Sequence, residues 1–210
     1  MEYICVIGID PGLKGGCTII ENGKFSVFCI PTIQKIVNKK KKNIYDLKKI
    51  VEILKPYSNK SVLYVIETQG VRMGEGSVSA MTIGKGFGQL LGVAMALGFE
   101  VVEVGAARWK KHFPQLNTPS IIAKKEQMSE LRKNGKLLKE KNDKKLNTKE
   151  LEKLSRQIKL EAKKAAIELV KKDYPDIDLL VKRTESDGLA ESILIAKFGL
   201  ENQDLLNFKE

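Results

Sequence analysis

The run Tyr3-Ile4-Cys5-Val6-Ile7-Gly8-Ile9 is apolar and largely β-branched, and it stops at Asp10-Pro11-Gly12. Seven such residues ended by a turn signal read as a strand buried on both faces rather than as a helix. A strand of that kind needs cover on both sides, which points to an α/β fold. Residues 16–20 form a second strand, and Glu21-Asn22-Gly23-Lys24 is a hairpin signal. Residues 25–30 form a third before Pro31, so three antiparallel strands open the chain.

Further on, Ile44, Leu47, Ile50, Val51 and Leu54 fall at helical spacing, which predicts a helix over residues 43–54. Residues 61–66 predict a buried strand ending at Glu67, and residues 68–81 a loop. Residues 82–97 predict a helix that carries Gly84, Gly86, Gly88 and Gly92. Each glycine costs such a helix about 1 kcal/mol relative to alanine, which implies close approach of another element or subunit. Residues 100–104 predict a fifth strand. Thr118-Pro119 begins a helix, Asn134-Gly135 breaks it, and Asn147 with Glu150 resembles a capping box opening a long helix to Tyr174. A last helix covers residues 186–198. The expectation is a single domain over residues 1–210, with a helical insertion at about 115–160.

Charge narrows the partners. The formal net charge is +11, and it is unevenly spread. Residues 1–109 hold 14 basic and 9 acidic residues, residues 110–164 hold 17 and 7, and residues 165–210 hold 6 and 10. An anionic partner, nucleic acid foremost, suits the middle segment. Its lysines are equally compatible with a phosphate-tracking surface and with a solvated face. Lys39-Lys40-Lys41-Lys42 is expected to be a solvated loop, and Trp109 a core anchor. No apolar run reaches membrane-spanning length. Cys5, Cys17 and Cys29 form an odd set without a CxxC pair, as in a reducing compartment. These features predict a soluble intracellular protein with no membrane partner. No P-loop occurs, and Gly84-x-Gly86-x-Gly88 lacks dinucleotide-fingerprint spacing.

Four acids define the candidate chemistry. Asp10 and Glu67 end two buried strands, and Asp187 and Glu191 stand four apart on one helix face. Gathered together they would repel one another, and a divalent cation would relieve that repulsion. Oxygen donors without imidazole favour Mg²⁺, with Mn²⁺ as a substitute. The single histidine, His112, argues against zinc or a histidine base. Two ions can activate a water and stabilise the leaving oxygen of a phosphodiester.

These residues also resemble a family. Ile7-Gly8-Ile9-Asp10-Pro11-Gly12, Val65-Ile66-Glu67, Ile83-Gly84-Lys85-Gly86-Phe87-Gly88, Val104-Gly105-Ala106-Ala107-Arg108-Trp109-Lys110-Lys111 and Asp187-Gly188-Leu189-Ala190-Glu191-Ser192 stand in the order of the motifs of RuvC-like Holliday junction resolvases. The Trp-Lys-Lys segment and the four-residue acid spacing look closest to the phage and chloroplast branch. The resemblance implies a ribonuclease H-like fold, with a mixed five-stranded sheet flanked by helices. It also implies a homodimer that nicks four-way DNA junctions and leaves 5′-phosphates, in a bacterial or phage-infected cell, an organelle or a virus.

By the same resemblance Asp10, Glu67, Asp187 and Glu191 hold two Mg²⁺ ions, and Lys111 acts beside the scissile phosphate. Gln69, Arg72, Lys85, Arg108, Lys110 and Lys111 contact DNA. Asp187 fits the motif better than nearby Glu185. The bacterial relatives carry an aromatic after the second acid, where this chain has Gln69-Gly70-Val71-Arg72-Met73. Rival readings are a ribonuclease H-like nuclease for RNA–DNA hybrids or flaps, and a sugar-kinase-type ATP-binding fold.

Overall fold

The computed structural model describes residues 3–37, 39–70, 76–137, 140–181 and 184–206. Its centre is a five-stranded sheet built from β1 (Cys5–Ile9), β2 (Gly16–Glu21), β3 (Lys24–Cys29), β6 (Val62–Glu67) and β7 (Glu100–Val104). The strand order is β3-β2-β1-β6-β7. β1 pairs antiparallel with β2 and parallel with β6, and β6 is parallel to β7. A mixed five-stranded sheet flanked by helices is what the sequence leads one to expect. The opening hairpin turns at Asn22 and Gly23, both at positive φ, as an Asn-Gly turn requires.

Helices cover both faces. On one, α1 (Leu47–Leu54) and α2 (Ser77–Ala96) pack over Ile7, Ile19, Tyr64 and Ile66 through Leu54, Leu90 and Ala94. On the other, α3 (Ala106–His112), α5 (Lys141–Asp173) and α6 (Asp187–Glu201) pack over Val6 and Val65. Trp109, Val170, Ile193 and Phe198 fill that layer. The expectation that Trp109 anchors the core is met, since its side chain is fully buried. Cys5, Cys17 and Cys29 are free thiols, the first two buried and the third half-buried. Among the described residues no helix is long and apolar enough to cross a membrane.

Three elements differ from the sequence-based expectation. Residues expected to begin a helix at 43 instead form β5 (Lys40–Tyr45), which pairs with β4 (Thr32–Val37) in a separate two-stranded sheet. The lysines expected in a solvated loop therefore include strand residues Lys40, Lys41 and Lys42. The helix starts only at Leu47, where Asp46 accepts a hydrogen bond from the Lys49 N–H. Helix α2 begins at Ser77, five residues before the expected start. Asn147 opens no helix, because α5 already runs from Lys141. Its side-chain amide instead donates to the Leu131 carbonyl of α4 (Pro119–Gly135) at 3.0 Å. Helix α4 starts as expected, with Thr118 accepting from the Ile121 N–H.

Glycines set how close α6 lies to the sheet. A Cβ on Gly8 would stand 2.3 Å from the Ala196 nitrogen, and one on Gly16 would stand 2.3 Å from the Gly188 carbonyl oxygen. Gly188 in turn would meet the Lys14 carbonyl oxygen at 2.5 Å. These obstacles are backbone atoms, which cannot swing aside. Between them, the buried Thr18 hydroxyl lies 2.8 Å from Ser192 Oγ, which donates to the Leu189 carbonyl. Gly8→Ala should therefore destabilise the protein by about 3 kcal/mol, the upper range of overpacking costs. Urea unfolding followed by circular dichroism measures this, and an unchanged midpoint would contradict the close approach.

Candidate active site

Asp10 and Glu67 come together because β1 and β6 are parallel neighbours in register, with Ile9 beside Ile66. Both acids therefore leave the same edge of the sheet. The turn after Asp10 is held by the Asp10 N–H donating to the Gly16 carbonyl. Gly15 fits because a Cβ there would lie 2.0 Å from the Asp10 carbonyl oxygen. Helix α6 brings the other pair. Ser186 caps it by accepting from the Leu189 N–H, which places Asp187 in the first turn and Glu191 one turn further.

The electrostatics show how crowded this edge is. Asp10 is pushed up to about 8, first by burial and then by the nearby charges of Glu191, Glu67 and Asp187, with Lys110 opposing. Glu67 is also raised by burial, and the Trp109 hydrogen bond and Lys110 offset part of the shift. All four sequence-predicted acids thus share one electrostatic environment around Asp10.

Each of the other three acids already has a donor. Trp109 Nε1 donates to Glu67 Oε2 at 2.6 Å. Lys110 Nζ pairs with Glu191 Oε1 at 2.7 Å and lies 4.8 Å from the Trp109 ring centre. Lys163 of α5 pairs with Asp187. Among the described residues no three acidic, histidine or cysteine side chains stand as a formed metal cage. The residues nonetheless suit a hard divalent cation. Their donors are carboxylate oxygens, and Asp10 carries a repulsion that a cation would remove.

The remaining candidates are distributed around this edge. Lys110 touches the acid cluster, whereas Arg108 and Lys111 are exposed on α3. Gln69 and Lys85 line a cleft of about 470 Å³ beside the Asp10 turn, together with Pro11, Gly12, Tyr45 and Phe87. Arg72 and the side chain of Glu185 lie outside the described residues. His112 pairs with Glu201 at 2.7 Å, at the opposite end of α6 from Asp187.

Three functional neighbours were not found from the sequence. Trp109 is both a core anchor and the donor to Glu67, and its position two residues before Lys111 carries no sign of the second role. Lys163 sits in a lysine-rich helix where nothing local sets it apart. Tyr45 falls within the helix that the spacing predicts over residues 43–54, yet its ring lies 3.0 Å from where a Gly86 Cβ would stand. Its hydroxyl is in hydrogen-bond contact with the Gly12 backbone, which ties the β4–β5 hairpin to the Asp10 turn.

No family model matches the chain, and neither does any curated relative. Among solved structures it is similar to Thermus thermophilus RuvC in complex with a Holliday junction substrate. The identity is 13%, the TM-score 0.45, and the match covers 97% of this chain and 96% of that one. It is also similar to a second Thermus thermophilus RuvC structure, at 12% identity and TM-score 0.45, covering 95% and 96%.

The raised Asp10 pKa fixes the sign of a stability effect. An acid that binds its proton more tightly when folded contributes most below its unfolded pKa, near 4, and loses that contribution as pH rises towards 8. Asparagine cannot ionise. In chelator-treated protein, Asp10→Asn should melt with wild type near pH 4 and several degrees above it at pH 8. Equal melting temperatures at pH 8 would mean that the carboxylates do not crowd Asp10.

Proposed function

We propose that this chain is a divalent-metal-dependent endonuclease that resolves four-way DNA junctions and leaves 5′-phosphate ends. The observation that carries this reading is the convergence of four carboxylates, from three separate elements, on one edge of the sheet in a chain of net charge +11. A protein that only binds DNA gains nothing from such a cluster facing a polyanion. A metal-assisted nuclease requires one. The junction preference rests on the five motifs and their order, and the place in the phage and chloroplast branch on the Trp-Lys-Lys segment and the four-residue acid spacing.

In this reading Asp10, Glu67, Asp187 and Glu191 hold Mg²⁺ or Mn²⁺, two ions per site. The ions supply Lewis-acid activation of water and stabilisation of the leaving oxygen. The chain's own residues prepare the site for them. Trp109 holds Glu67 in one orientation through its N–H. Glu191 is buried and Asp10 half-buried, which limits water access. The ammonium groups of Lys110 and Lys163 neutralise Glu191 and Asp187, and both are near enough to meet a phosphate entering the site. Lys111 and Arg108, exposed on α3, contact the DNA backbone nearby. Gln69 and Lys85 contact DNA next to the Asp10 turn, and Arg72 is a further DNA contact in this reading.

A homodimer places two such sites on opposed strands. Met81, Gly84, Gly88, Gly92 and Met95 recur on one face of α2. Met81 and Met95 are 76% and 69% exposed, and among the described residues nothing beyond the helix's own backbone lies within 4 Å of a Cβ built on any of the three glycines. That face suits a second copy of the helix. Wild type should sediment as a dimer and Gly88→Arg as a folded monomer; two species of equal mass would remove this support.

End-labelled four-way junction, duplex and RNA–DNA hybrid, each incubated with Mg²⁺, separate the proposal from its nuclease rival. The expected result is cleavage of the junction in preference to the other two. Asp10→Asn, Glu67→Gln, Asp187→Asn and Glu191→Gln should each lower the rate at least about 100-fold. Mg²⁺ should raise the melting temperature of wild type and leave that of Asp10→Asn nearly unchanged. Preferential cleavage of the hybrid, or acid variants as active as wild type, would refute the assignment.

A further inference from the structure

Helix α5 is 33 residues long, and its charges are sorted by face. At 3.6 residues per turn, Lys145, Lys149, Arg156, Lys159 and Lys163 fall within an arc of about 80°. All five are exposed. The one other side chain in that arc between 145 and 163 is Glu152, which pairs with Arg156 at 3.5 Å. The acids Asp143, Glu150 and Glu161 lie about 150° away. Glu161 there bonds to Lys124 of α4. The apolar residues Leu151, Leu154, Ile158 and Ala165 lie beyond them, on the side that packs against α4 and the core.

A lysine-rich face that served only solubility would intersperse both signs, with acid–base pairs at i and i+4. Here the two signs are separated, and the cationic arc holds one such pair. Unneutralised like charges along one stripe repel one another, and a line of phosphates removes that cost. The stripe also has a defined origin. Its inner end is Lys163, which pairs with Asp187 of the acid cluster. From there to Lys145 the helix extends about 27 Å, close to eight base pairs of duplex at 3.4 Å each.

Resting on the nuclease reading above, we infer that the exposed cationic face of α5 is a rail that holds the backbone of one duplex arm leading away from the active site. The partner is double-stranded DNA contacted through its phosphates. The contact is independent of sequence, and it sets the angle at which the arm leaves the scissile position. The helical insertion thereby acquires a role that the sequence left open between DNA contact and solubility.

Two variants of equal charge test this. The rail variant carries Lys145→Gln, Lys149→Gln, Arg156→Gln and Lys159→Gln, and leaves Lys163 intact. The control carries Lys133→Gln, Lys136→Gln, Lys144→Gln and Lys153→Gln, which lie off the stripe. Glutamine keeps helix propensity, and circular dichroism verifies equal helicity. Binding to a four-way junction is measured in the full-length Asp10→Asn background over a range of salt.

The rail variant should bind about 30-fold more weakly than its parent at moderate salt, with the slope of log K against log salt reduced by about 3 to 4. The control should stay within about threefold of the parent. Hydroxyl-radical footprinting should show protection lost over roughly eight base pairs of one arm, with protection at the crossover retained. Equal weakening by both variants would reduce the effect to bulk charge and overturn the rail. If wild type neither binds nor cuts junctions, the nuclease reading itself fails; a junction-cutting wild type with an unaffected rail variant removes the rail alone.

Discussion

The site depends on how closely one helix can lie on a sheet. Gly8 and Gly16 present bare backbone to α6, and Gly188 on α6 presents bare backbone in return. A methyl group at any of the three would force the helix outward against backbone atoms at 2.3–2.5 Å. Close packing transmits such a displacement rather than absorbing it. Asp187 and Glu191 ride on that helix, so their distance from Asp10 is fixed by the absence of three side chains. The Thr18–Ser192 hydrogen bond fills the remaining space and fixes the rotation of α6.

Close approach has an electrostatic cost, and the chain distributes it unevenly. Lys110, Lys163 and Trp109 each satisfy one carboxylate, and Asp10, half-buried beside the other three, is left to carry the repulsion. The neutralising groups come from α3 and α5, two elements that also pack on the core. The acid cluster and its counter-charges are therefore set by the same layer of packing, and a change in the position of either helix alters both.

Much of this was legible because it is local. A buried strand that stops at an acid declares both the sheet and the place where the acid leaves it, which is why Asp10 and Glu67 could be assigned together. The spacing of Asp187 and Glu191 on a helix was equally plain. The β4–β5 hairpin was missed because Ile44, Leu47 and Ile50 mimic a helical stripe while the partner strand lies across a turn. Asn147 was misplaced because a capping residue and an inter-helix donor look the same in sequence. Lys163 and the Trp109 N–H owe their roles to elements distant in the chain, and no local pattern encodes that. Among the described residues, Gly86 alone of α2's four glycines is explained, by the Tyr45 ring.

The continuity of α5 has a consequence for how this chain tolerates changes of length. Its inner turns are anchored by buried Ala165, Ala166, Leu169 and Val170. They supply the costly first turns of helix, and the outward extension adds residues without a new nucleation step. Lengthening the arm is therefore thermodynamically easy, but its phase is not free. Adding or deleting seven residues returns the outer side chains to nearly the same azimuth, whereas a single inserted residue turns everything beyond it by about 100°. The orientation of the outer helix relative to the acids is thus stored as a residue count, and whole pairs of turns are the steps in which such an arm can grow or shrink without losing its bearing.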